Sequence, residues 1–121
     1  MSYEVFSIPA FDNAAKRLQK KHRRIKTDLG HLVHILQDAP FAGVAIPGFG
    51  HRVWKIRLAS ADMQVGKRGG FRVIYAVDRE EGACYLLTIY PKSEKADVSG
   101  EELERLLEDL EQFLDEVNAE T

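Results

Sequence analysis

Residues 51–95 read HRVWKIRLASADMQVGKRGGFRVIYAVDREEGACYLLTIYPKSEK, and this stretch decides the fold. It divides into three runs rich in β-branched and aromatic residues, roughly 52–60, 70–77 and 83–91, and such runs favour strands. Strand side chains alternate between two faces. In the first run Trp54, Ile56 and Leu58 share a side, which leaves Lys55 and Arg57 opposite. In the second, Phe71, Val73, Tyr75 and Val77 share a side and Arg72 falls opposite; in the third, Tyr85, Leu87 and Ile89 share a side, with Tyr90 and Lys92 opposite. If one apolar face is to be buried, register is set by it. Lys55, Arg57, Arg72, Tyr90 and Lys92 then project together from the other face.

Outward from the sheet, DREEG at 78–82 turns the last two strands into an antiparallel hairpin,. The preceding connection, ADMQVGKRGG at 61–70, sets Gly66, Gly69 and Gly70 around Lys67 and Arg68. Three glycines can simply shape a turn. They do not form a P-loop, whose spacing and following Ser or Thr are absent,. FAGVAIPGFG at 41–50 reads as a loop. Upstream, Glu4 to Ile8 reads as a short strand closed by Pro9. Phe11, Ala15, Leu18 and His22 then recur at helical spacing, with Asp12 or Asn13 near the N-cap,. Ile25, Leu29, Leu32, Val33 and Leu36 form a second stripe ending near Asp38, before Pro40. Ser99 with Glu102 is a capping box, and Leu103, Leu106, Leu107, Leu110, Phe113, Leu114 and Val117 give one apolar stripe on a terminal helix,. The predicted order is β-α-α-β-β-β-α: an α+β fold with one mainly antiparallel sheet, a helical hairpin and a C-terminal helix. The helices are expected on the apolar face and the polar cluster on the other.

A chain of 121 residues makes one domain,. Its expected parts are a body, 1–98, and an acidic helix, 99–121, packed on or extending that body. The net charge of −2 hides an asymmetry: residues 1–98 hold 16 Lys and Arg against 10 Asp and Glu, whereas 99–121 hold one against nine. A basic body suits a polyanionic partner. Seven of the eleven residues from 16 to 26 are cationic. Lys16, Arg17, Lys20, Lys21, Arg23, Arg24 and Lys26 are either a solvated face or a nucleic-acid contact. The single cysteine, Cys84, sits in an apolar run and reads as a small buried side chain,. His22, His31 and His34 read as surface or boundary residues, with no third ligand for zinc. No apolar run approaches 18 residues and no leader is evident, so the expected location is the cytoplasm,.

Three segments, VWKIRLA (53–59), GKRGGFRVIY (66–75) and YLLTIYPKSEK (85–95), resemble the RelE/ParE superfamily of type II toxin–antitoxin toxins. They look like its lysine–x–arginine strand, its glycine-rich turn with an arginine-bearing strand, and its closing strand with tyrosine and lysine. The likeness spans about residues 3–98. Resemblance to the RelE/HigB-like branch implies a ribosome-dependent endoribonuclease, an mRNA interferase that inhibits translation without metal or other cofactor. It also implies an antitoxin partner, the ribosome and mRNA. Carried over by motif, the catalytic set is Lys55, Arg57, Lys67, Arg72, Tyr90 and Lys92. Arg68, which stands where many relatives carry serine, joins the helical cations as an RNA or ribosome contact. Some HigB-like relatives use a catalytic histidine, for which His51 is the candidate. The alternatives are a ParE-like DNA gyrase inhibitor and an inactive homologue that acts through protein binding. The terminal leucine stripe reads as core packing, with a homodimer contact or an antitoxin surface as the other readings.

Cleavage by a 2′-hydroxyl needs that hydroxyl deprotonated, the extra charge on the phosphorane stabilised and the 5′-oxygen protonated. Guanidinium forks suit the second task, which falls to Arg57 and Arg72. Lys55 is a candidate general base, since crowding by like charges favours a neutral amine. Tyr90 would stack on a base or orient the 2′-hydroxyl.

Overall fold

The computed structural model describes residues 2–62 and 70–120. In chain order these form β1 (Glu4–Ser7), α1 (Pro9–Gln19), α2 (Ile25–Asp38), β2 (Val44–Ala45), β3 (Val53–Leu58), β4 (Phe71–Asp78), β5 (Ala83–Pro91) and α3 (Gly100–Ala119). The sheet order is β1-β5-β4-β3-β2, with β1 parallel to β5 and the other pairs antiparallel. The α+β class and the order of the longer elements match the sequence reading. The two-residue β2, inside the expected loop, is additional.

Local chemistry accounts for the element ends. α1 begins at Pro9 rather than after Asp12 or Asn13, because proline's fixed φ and missing N–H suit a first helical position,. Asp12 instead lies in the first turn, where its Oδ1 accepts from the Ser7 hydroxyl at 2.6 Å. At 78–82, Asp78 Oδ1 accepts from the backbone N–H groups of Glu80 and Glu81, and Gly82 takes φ +64° to close the hairpin,. Ser99 caps α3 by accepting from the Glu102 N–H. The reciprocal half of the capping box is not made: the Glu102 carboxylate grips Lys95 instead.

The sheet departs from simple alternation at one place. Ile74 pairs with Thr88 but Tyr75 pairs with Leu86, so Leu87 is an extra residue in β5. A one-residue bulge reverses which face the following side chains occupy. By register, Tyr85 therefore faces the same way as Ala76, Arg72 and Tyr90, not opposite Tyr90 as strict alternation predicts. This changes what lies over that face. Ala76 and Tyr85 line a common cavity with Leu110 and Leu114 of α3, so α3 covers the face that also carries the cations. The opposite face holds Phe71, against which the ring of His22 sets its edge at 5.1 Å, and Tyr75, whose hydroxyl donates to the Pro40 carbonyl at 2.8 Å. Both belong to the α1–α2 unit and its exit. His22 is accordingly buried, deeper than the surface or boundary position expected of it.

Helices on two faces explain why β4 and β5 are buried almost throughout,. The expected one-sided arrangement is corrected on that point. Leu103, Leu106 and Leu110 of α3 join the same core as Ile8, Leu32, Leu36 and Phe71. Cys84 is fully buried, as expected of a small apolar side chain. No described helix is long and apolar enough to cross a membrane.

Candidate active site

Arg57, Arg72 and Tyr90 sit directly opposite one another on β3, β4 and β5, in one row across three strands. Like charges facing each other across a ladder are destabilising. A second cost is burial, since Arg72 is only 6% exposed. Burial, and then the Arg57 charge, lower the Arg72 pKa from its ordinary value, opposed by Tyr90. One Arg72 N–H is directed to the Phe71 carbonyl at 3.2 Å. A fold optimised for stability alone has no use for this row. Such local conflicts mark functional positions.

The register places Lys55 two residues from Arg57 on the same face. Lys55, Arg57, Arg72 and Lys92 line one cleft of about 480 Å³, together with Ala42, Gly43, Val44 and Ala96. Five of the six candidate catalytic residues are thus gathered at one end of the sheet, four around the cleft and Tyr90 in the row behind it. The sixth, Lys67, lies outside the described residues, as does Arg68. His51 does not join them. It precedes β3 by two residues and is six residues from Arg57, roughly 20 Å along an extended chain. Its backbone has φ 62° and its carbonyl accepts from the Trp54 indole N–H at 2.9 Å.

Tyr90 is 4% exposed and its hydroxyl, also buried, has no hydrogen-bond partner among the described residues. Burial pushes its pKa up to about 12, Asp97 adding to the shift and Arg72 opposing it. At neutral pH it is a phenol that can donate, not a phenolate base. The Lys95 ammonium stands 4.9 Å from the centre of its ring. In this conformation that side of the ring is not open to a stacking base.

Sequence reasoning passed over Lys95 and Asp97. Both follow the end of β5, where no periodicity assigns a face. Asp97 reaches Lys55 at 3.4 Å, and Lys95 meets both Glu102 oxygens at 2.8 and 2.9 Å. On the helical hairpin, Lys16, Arg17, Lys20, Lys21, Arg23, Arg24 and Lys26 are all exposed. Arg24 is engaged by Asp62, at 3.7 Å through its side chain and 2.7 Å through its N–H. Among the described residues no group of three His, Cys, Asp or Glu side chains could hold a metal ion.

Burial gives a testable pH dependence. Tyr75 and Tyr90 are raised from 10.0 to about 12, and Cys84 from 9.0 to about 11, each chiefly by desolvation. All three are neutral acids that the folded chain holds protonated while the unfolded chain releases its protons. Their contribution is fully present below pH 9 and is lost as pH rises toward 12,. Urea midpoints measured from pH 8 to 12 should fall progressively across that window.

Solved structures with a similar fold include two RelE-related ones. A double arginine-to-alanine mutant of Escherichia coli toxin RelE in the free state matches with a TM-score of 0.55 and 18% identity, over 79% of this chain and 90% of that one. A chain of the archaeal RelE–RelB complex from Pyrococcus horikoshii matches with a TM-score of 0.53 and 22% identity, over 78% of this chain and all of the other. The chain has a RelE-like fold. No family model matches the sequence. The RelE-like likeness leaves about a fifth of the chain uncovered in both comparisons.

Proposed function

We propose that the protein is the toxin of a type II toxin–antitoxin pair, a cytoplasmic endoribonuclease that cuts mRNA on the ribosome and is silenced by an antitoxin protein. The single observation that carries this reading is the row Arg57–Arg72–Tyr90 beside Lys55 and Lys92. Arg57 and Arg72 are the groups for the charge that develops on the phosphorane, where one well-aimed donor is worth about 3–4 kcal/mol. Tyr90, neutral at working pH, is suited to donate to an oxygen of the reacting phosphodiester. Lys92 and Lys67 supply further positive charge along the backbone. The exposed cations of the helical hairpin would add salt-dependent affinity for ribosomal RNA,. One of the two RelE-like neighbours is described as a toxin and the other as part of a complex with RelB, which supports an antitoxin partner here.

The row holds two guanidinium groups and a phenol, with no carboxylate or imidazole in it to act as a base. Much of the rate must then come from orienting the RNA, and proximity effects contribute about 7–11 kcal/mol. The ribosome is the body that would orient it. Primer extension on mRNA from cells expressing the protein should therefore show breaks inside translated codons, while purified protein cuts free RNA poorly. A gyrase supercoiling assay run beside it should be unaffected. Intact mRNA together with blocked supercoiling would replace this reading with the ParE-like one.

A further inference from the structure

The two residues at the heart of the row are shut in. Arg72 and Tyr90 are 6% and 4% exposed, although an RNA phosphate has to reach them. What lies over this end of the sheet is the connection of residues 92–98 between β5 and α3. Three contacts fix it there. Lys95 covers the Tyr90 ring, Asp97 sits on Lys55 at 3.4 Å, and Ala96 lines the cleft beside Arg57 and Arg72. The connection is held in turn by α3, because Glu102 takes Lys95 at 2.8 Å in place of completing its own capping box.

The chemistry of these contacts is that of a stand-in. A carboxylate on Lys55 occupies the place a phosphate oxygen would take, and an ammonium over Tyr90 occupies the place of an approaching base or sugar. The buried Tyr90 hydroxyl with no partner is a group left waiting for one,. The pairs that close the cleft are themselves weak. Lys95 and Glu102 are 38% and 30% exposed, and Lys55 and Asp97 32% and 62%. Solvated pairs of this kind can be exchanged for a polyanion at little cost.

We propose that residues 92–98 are a strap that closes the cationic cleft, with Lys95–Glu102 as its latch and Asp97 as an internal competitor for the anion. That the anion is RNA rests on the function proposed above. The strap opens when a phosphate displaces Asp97 from Lys55, and opening uncovers Tyr90 and Arg72 together.

Glu102→Gln and Asp97→Asn each remove one contact while leaving the leucines of α3 and the Ser99 cap in place. Glu104→Gln, an exposed position of α3, loses the same charge without touching the strap. Two readouts apply: nitration of Tyr90 by tetranitromethane followed by mass spectrometry, and affinity for a fluorescein-labelled single-stranded RNA oligonucleotide. Tyr75, fully buried on the other face, is the internal control for global unfolding. Tyr90 should be nitrated faster in both strap variants, with Tyr75 untouched and Glu104→Gln behaving as wild type. RNA affinity should rise about two- to fivefold per variant, the size expected of one solvated ion pair. Unchanged Tyr90 nitration in both strap variants overturns the strap. Faster nitration with unchanged RNA affinity keeps the strap and overturns RNA as the ligand of the cleft.

Discussion

Replacing Arg72 with glutamine should reduce mRNA cleavage about 100- to 1000-fold, the range for loss of one preorganised donor to a developing oxyanion, without loss of stability. The two halves of this expectation have one cause. The guanidinium is buried, faces Arg57 across the ladder, and has its pKa lowered by both. A lowered pKa means that the folded chain disfavours the charged form, so the charge itself costs stability. Glutamine removes the charge while keeping much of the stem and a donor that can serve the Phe71 carbonyl. The melting temperature should therefore hold or rise while growth arrest on induction disappears. Alanine is a poorer probe: at 6% exposure it would empty space beneath the strap and mix a packing loss with a chemical one. A folded glutamine variant that arrests growth as strongly as wild type would remove Arg72 from the chemistry.

The second large effect concerns α3. Ending the chain at residue 98 should unfold the protein or lower its melting temperature by well over 10 °C. Leu103, Leu106 and Leu110 are at most 6% exposed. Burial of each is worth about 1.5–3 kcal/mol, so losing three removes roughly 5 kcal/mol or more. That approaches the whole stability of an ordinary domain. The truncation also strips Arg52 of its 2.7 Å pair with Glu111 and Lys95 of Glu102, and it opens the Tyr85 end of the sheet to water. Thermal melts followed by circular dichroism read the result. An unchanged melting temperature would show that α3 contributes nothing to the fold and is free to face a partner.

Much of this was present in the linear pattern. Alternation in 53–58 and 71–78, the hairpin turn at 78–82 and the serine cap at position 99 were each enough to place an element, whereas proline at position 9 was read as closing a strand and not as opening α1. They are local signals, set by backbone geometry over a few residues. The same alternation brought Arg57, Arg72 and Tyr90 to one face, since β4 and the C-terminal half of β5 run without interruption there. The bulge at Leu87 was not legible. Nothing in LLTIY marks which residue will be left unpaired, because a bulge is decided by the fit of two strands to each other.

The sequence by itself determined the element order, the class of fold and the residues of the cationic row, because periodicity and turn chemistry act over short range. Only the tertiary structure decided that α3 crosses to the face of the cations, that Arg72 and Tyr90 are buried, and that Lys95 and Asp97 stand over them. Those outcomes depend on contacts between segments far apart in the chain. Asp97 lies 42 residues from Lys55, and Glu111 lies 59 from Arg52. No local preference along the chain encodes contacts between segments so far apart.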